Sequence, residues 1–125
     1  MKIIINNSSM VPIYEQIMGQ IKTMILQGKL KDNDMLPSVR SLSRDLNISA
    51  LTVKKAYDLL EEEGFTLTVH GKGTYVAATN KDLLLEEQEK EVEADLEMAI
   101  QKGRRYGLQD AQIREIFELV LEESE

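Results

Sequence analysis

Leu36-Pro37-Ser38-Val39-Arg40-Ser41-Leu42-Ser43-Arg44-Asp45-Leu46-Asn47-Ile48-Ser49-Ala50-Leu51-Thr52-Val53-Lys54-Lys55-Ala56-Tyr57 is the stretch that decides the fold. Pro37 restricts Leu36 to an extended conformation, and Ser38 is placed to cap the free N–H groups of the helix that follows. Val39, Leu42 and Leu46 recur at helical spacing, which turns them inward and leaves Arg40, Ser41 and Arg44 outside. Asn47-Ile48-Ser49 is a short turn, and Ser49 caps a further helix whose buried stripe is Val53, Ala56, Tyr57 and Leu60. Ala50, Leu51, Lys54, Lys55 and Asp58 fall on its outer face. Two short helices joined by a tight turn present the N-terminal end of the second at the surface, where it fits a major groove about 12 Å wide.

Upstream, Ile3-Ile4-Ile5 leads into Asn6-Asn7-Ser8-Ser9, a short extended arm ending in turn formers. Pro12 suits the first turn of a helix, and Ile13, Ile17, Ile21, Met24 and Ile25 make its apolar stripe before Gly28 stops it. Lys29 to Met35, with its Asp32-Asn33-Asp34 run, reads as a loop. Downstream, Glu61-Glu62-Glu63-Gly64 ends the third helix. Three acids there oppose the helix dipole, so tertiary packing has to hold that end. The period then changes to two: Phe65, Leu67 and Val69 alternate with Thr66 and Thr68, and Thr74 to Ala77 is a second β-prone run. His70-Gly71-Lys72-Gly73 connects them as a glycine-containing hairpin. Helix, helix, tight turn, helix and hairpin together make a winged helix-turn-helix over residues 1–80, mainly α with a small β-hairpin.

Residues 81–125 are helical again. From Lys81 to Lys102, Leu85, Val92, Leu96, Ala99 and Ile100 share one face, and glutamates crowd the others. Gly103 and Gly107 bracket an expected break at Arg104-Arg105-Tyr106. A last helix, about Asp110 to Glu123, carries Ile113, Ile116, Phe117, Val120 and Leu121. Such a two-helix hairpin is too small to bury both stripes alone, so a second copy of the chain is the simplest cover, and this region is a dimerisation hairpin.

The chain has 125 residues and a net charge of -7, which at first sight disfavours nucleic acid. Residues 1–80 carry nine Lys/Arg against eight Asp/Glu, whereas residues 81–125 carry six against fourteen. The acidity belongs to the C-terminal part, as expected of two modules with different jobs. Cysteine is absent and His70 is the single histidine, so thiolate catalysis, a serine–histidine triad and a zinc site lack their residues. Glutamates on the C-terminal helices read as a solvated face, and Arg104 and Arg105 as compensation for a helix C-terminus. No cofactor, metal or enzymatic activity is expected. No apolar run reaches the ~18 residues of a membrane span, which points to a cytoplasmic protein without a membrane partner. Gly71-Lys72-Gly73-Thr74 resembles part of a phosphate-binding loop, but its order and the glycine spacing before it are wrong. Two flanking glycines instead let Lys72 and His70 approach a phosphate or a minor-groove edge. A protein-docking module using the Lys54-Lys55 face is the alternative function class, and it predicts no salt-dependent DNA binding.

Pro12-Ile13-Tyr14-Glu15-Gln16-Ile17, Gly28, Leu36-Pro37-Ser38-Val39-Arg40-Ser41-Leu42, Thr52-Val53-Lys54-Lys55-Ala56-Tyr57, Glu63-Gly64 and Gly71-Lys72-Gly73-Thr74-Tyr75-Val76, in that order, resemble the GntR family of bacterial transcription regulators. The resemblance covers about residues 10–78, and the short helical tail is similar to that of the YtrA subfamily. It implies a homodimeric repressor that binds a palindromic double-stranded DNA operator, in this subfamily typically that of an ABC-transporter or envelope operon. It implies DNA contacts from Arg40 on the second helix, from Ser49, Thr52 and Lys54 on the third, and from His70 and Gly71 at the wing tip. Arg44, Ala50, Leu51, Lys55 and Lys72 complete the expected surface. Many members carry arginine where this chain has Ala50, which implies a different operator preference there, and Leu51 is placed to meet a thymine methyl. Leu85, Val92, Leu96, Ile100, Ile113, Ile116, Phe117 and Val120 are the expected dimer contacts. Any small-molecule effector, the operator sequence and the regulated genes are not legible.

Overall fold

A computed structural model describes residues 1–78 and 81–124. Its helices are α1 (Ile13–Leu26), α2 (Val39–Leu46), α3 (Ala50–Glu62), α4 (Lys81–Arg105) and α5 (Asp110–Glu123). One antiparallel hairpin, β1 (Thr66–Val69) and β2 (Gly73–Val76), lies between α3 and α4. The chain divides into two compact units, Met1–Leu84 and Leu85–Glu125. The expected boundary after residue 80 falls beside residues 79 and 80, which lie outside the described ones.

Pro12 is the N-cap of α1, one position before the first turn where the sequence places it. Ile17, Met18, Ile21 and Ile25 form its buried stripe, and Ile13 and Met24 are half-buried at the edge. Beyond the helix, Gly28 takes φ +75°, and the N–H groups of Lys29 and Leu30 close on the Met24 carbonyl. An αL residue at this place satisfies carbonyls that a straight end would leave free. The N-terminal arm is fastened along α1. Gln20 accepts from the Ile4 N–H at 2.9 Å and donates to its carbonyl at 2.7 Å, and Gln16 does the same for Asn6. Ile3 thereby enters the core.

Local rules account for α2 and α3. The Ser38 Oγ accepts from the Ser41 N–H at 3.0 Å, and the Ser49 Oγ accepts from the Leu51 N–H at 3.1 Å. Between the helices Asn47 adopts φ +54°, a left-handed conformation that asparagine tolerates better than most residues. Val53, Ala56, Tyr57 and Leu60 bury the inner face of α3 in the core that Ile17, Ile21, Ile25 and Leu42 share. The acidic end of α3 is held from outside the helix: Lys22 on α1 lies 3.2 Å from a Glu63 carboxylate oxygen and 4.9 Å from the centre of the Phe65 ring. That cation offsets the unfavourable placement of the three glutamates.

The hairpin pairs Thr66 with Val76 and Val69 with Gly73, and His70-Gly71-Lys72 makes its tip. Gly71 has φ +78°, which lets the Lys72 N–H reach the Val69 carbonyl at 2.9 Å. Alternation along β1 does not translate into alternate burial. Phe65, Thr66 and Val76 at the base are buried, while Leu67 and Val69 are exposed because only the base touches the core. Lys29 to Met35 is also more than a loop. The Asn33 N–H donates to the Val76 carbonyl, the Val76 N–H to the Asp34 carbonyl and the Leu36 N–H to the Thr74 carbonyl, at 2.8 to 2.9 Å. Met35 bridges Tyr75, so this segment covers the free edge of β2.

The first turn of α4 belongs to the first unit, where Leu84 is buried to 5% exposure in the core. α4 then runs through Gly103 to Arg105, so the expected helix end at Lys102 and the break at Arg104-Arg105 do not occur. The reason is packing. A Cβ at position 103 would stand 3.3 Å from the Ile113 side chain, so glycine here permits close approach and does not stop the helix. The chain turns at Gly107, with φ +87°, and the Leu108 N–H returns to the Gly103 carbonyl at 2.9 Å. Arg104 and Asp110 pair at 3.2 Å, and the Gln109 N–H donates to Gln112 Oε1 at 2.9 Å at the start of α5.

Candidate nucleic-acid interface

Ser49, the N-cap of α3, and Ala50 and Leu51 of its first turn are exposed, and Thr52 is half-buried. Lys54 and Lys55 continue the outer face, and Arg40 and Arg44 are exposed on α2, which packs against α3. Ser41 is half-buried, so α2 offers its two arginines more fully than that serine. His70, Gly71 and Lys72 are exposed at the hairpin tip. Every residue expected at a DNA surface therefore belongs to the first unit, and all but Thr52 are exposed.

The two lysines of α3 are not free cations. Lys54 Nζ lies 2.6 Å from Asp58 Oδ2, one helical turn away. Lys55 Nζ stands over the Tyr14 ring, 4.1 Å from its centre. The Tyr14 hydroxyl donates to Glu15 at 3.3 Å; local desolvation and then the Glu15 charge raise its pKa. The sequence places Lys54 and Asp58 on the outer face without pairing them, although their i,i+4 spacing is the signal for such a pair. No local signal announces Tyr14, because it is brought to α3 by the packing of α1.

Beneath this surface, the Tyr57 hydroxyl donates to the Pro37 carbonyl at 2.7 Å. Burial raises the phenol's pKa well above its ordinary value, so it stays a neutral donor.

In the second unit, Ile113 and Ile100 are half-buried, while Leu85, Val92, Leu96, Ile116, Phe117 and Val120 are exposed. No side chain of α5 is buried. Leu96, Ile100, Ile113, Ile116, Phe117 and Val120 line an apolar groove of about 380 Å³. Among the described residues, no three acids or histidines are grouped to hold a metal ion, and no helix is long and apolar enough to cross a membrane.

Known proteins share this arrangement. The HTH-type transcriptional repressor YtrA of Bacillus subtilis (strain 168) is 45% identical over 66% of this chain and 63% of its own length, so the chain spans less than two thirds of that relative. A crystal structure described as a transcriptional antiterminator from Listeria monocytogenes EGD-e superposes with TM-score 0.73 at 30% identity, over 100% of this chain and 91% of that one. The DNA-binding domain of AraR in complex with operator ORX1 superposes with TM-score 0.55 at 29% identity, over 61% of this chain and 95% of that domain. Residues 13–76, from the start of α1 to the end of β2, match the bacterial regulatory proteins of the gntR family. The chain belongs to the GntR family of DNA-binding transcriptional regulators.

Proposed function

We propose that the chain is a cytoplasmic, homodimeric repressor that occupies a palindromic operator. The observation that carries this reading is the exposed first turn of α3, capped by Ser49 and flanked by the arginines of α2. In the duplex this turn enters the major groove, Arg40, Arg44 and Lys72 meet phosphates or base edges, and the tip residues His70 and Gly71 approach the minor groove. Leu85–Glu125 supplies the dimer contacts. Its apolar faces, with Phe117 still 45% exposed, lack a cover within the unit, and a second copy buries them in a symmetric seam. Two such copies set recognition helices about 34–36 Å apart along one face of the DNA. Following the resemblance to the YtrA subfamily, the controlled operon encodes an ABC transporter or an envelope function.

Selection of bound sequences from random duplex DNA by the purified full chain tests the reading. The expected outcome is a palindrome whose affinity falls steeply with salt. Recovery of no preferred sequence, or binding indifferent to salt, overturns it. Sedimentation of the full chain tests the seam: a dimer is expected, and a monomer at micromolar concentration refutes that part.

A further inference from the structure

The first turn of α3 ends in methyl groups. Leu51 is 77% exposed, and Ala50 beside it is exposed as well. Three polar groups around them, on Ser49, Lys54 and Lys55, are already engaged. The Ser49 Oγ accepts from the Leu51 N–H at 3.1 Å, Lys54 Nζ sits 2.6 Å from Asp58, and Lys55 Nζ lies 4.1 Å from the centre of the Tyr14 ring. A helix presenting these residues to a major groove offers an apolar tip where a guanine or adenine reader would need a forked donor. The apolar mark in that groove is the C5-methyl group of thymine.

Resting on the reading that α3 enters the major groove, we propose that Leu51, with Ala50 beside it, selects thymine by apolar contact with its C5-methyl group. The contact needs no directional partner, so it is compatible with a Ser49 hydroxyl and a Leu51 N–H that are bonded to each other. Burying one methyl group of this kind is worth about fourfold in affinity.

Deoxyuridine tests this directly, because it pairs as thymine does and lacks only the methyl group. The full chain is titrated with its selected duplex, in which thymines are replaced by deoxyuridine one symmetric pair at a time. At one pair of positions the replacement weakens binding roughly 15-fold, about fourfold for each half-site. In Leu51→Ala, an exposed position that leaves the core untouched, the same replacement changes affinity less than about twofold. Sequence-specific binding that is indifferent to deoxyuridine at every position overturns the inference and leaves the DNA reading standing. A deoxyuridine effect that persists in Leu51→Ala overturns the assignment to Leu51. If no sequence is selected at all, the failure lies with the DNA reading.

Discussion

The Tyr57 hydroxyl donates to the Pro37 carbonyl oxygen at 2.7 Å, so the buried face of α3 is bonded to the residue that precedes the cap of α2. The bond ties α3 to the start of α2, the two helices that carry most of the proposed DNA-facing side chains. The tie accounts for a buried tyrosine where a leucine would serve as packing alone.

Replacing Tyr57 with phenylalanine removes the bond and leaves the Pro37 carbonyl without that donor, lowering stability by about 1 kcal/mol. The alkaline limb of the stability curve changes too. Burial raises the Tyr57 pKa above its ordinary 10.0, so the unfolded chain releases this proton near pH 10 while the folded chain retains it. The folded state then binds the extra proton, and stability present below pH 10 is lost as pH rises, by up to ~1.4 kcal/mol per unit. Urea unfolding of both proteins at about pH 8 to 11 should show this group's slope only with tyrosine present.

Leu84 and Leu85 adjoin in sequence and differ in role. Leu84 is packed in the core of the first unit, whereas Leu85 is half exposed in the second. Leu84→Ala should destabilise the winged unit by about 2–4 kcal/mol, in the range of buried leucine truncations. Leu85→Ala should leave that unit's unfolding midpoint unchanged and weaken self-association instead. Denaturation and sedimentation of the two full-length variants separate these outcomes.

Asp58 holds the lysine that the proposed interface offers to DNA. The pair is well exposed on both sides, so its contribution to folding is below about 1 kcal/mol. Asp58→Asn should leave the unfolding midpoint nearly unchanged and raise affinity for non-cognate duplex about two- to threefold. Lys54→Gln should lower it. Fluorescence anisotropy with a scrambled duplex, at two salt concentrations, reads both effects.

Arg40 is exposed on α2 and bears little on the core. Arg40→Ala should retain the wild-type unfolding midpoint while losing about 1–3 kcal/mol of operator binding, the range of a bidentate arginine contact. Operator affinity unchanged from wild type would remove Arg40 from the interface.

The helix-turn-helix is legible because its signals act over four residues or fewer. Ser38 and Ser49 cap the helices they precede, Asn47 takes the left-handed turn, and the spacing of Val53, Ala56, Tyr57 and Leu60 sets the buried face. Gly103 shows where the same local rules mislead. Glycine near a helix end reads as a stop, but contact with Ile113 made the position a point of close packing and carried α4 onward.

The amino-acid sequence alone determined the element order, the caps, the outward face of α3 and the separation of a near-neutral part from an acidic one, because propensity, periodicity and charge are properties of neighbouring residues. Tertiary structure alone decided that residues 33–36 would cover the edge of β2, that Gln16 and Gln20 would fasten the N-terminal arm, that Leu84 would join the core and that Lys55 would rest on Tyr14. Each of these joins groups far apart in the chain or depends on which face of a helix meets the core. Backbone bonding capacity is the same at every non-proline residue, and an exposed lysine or a buried leucine carries no mark of its partner, so only the closing of the fold selects among them.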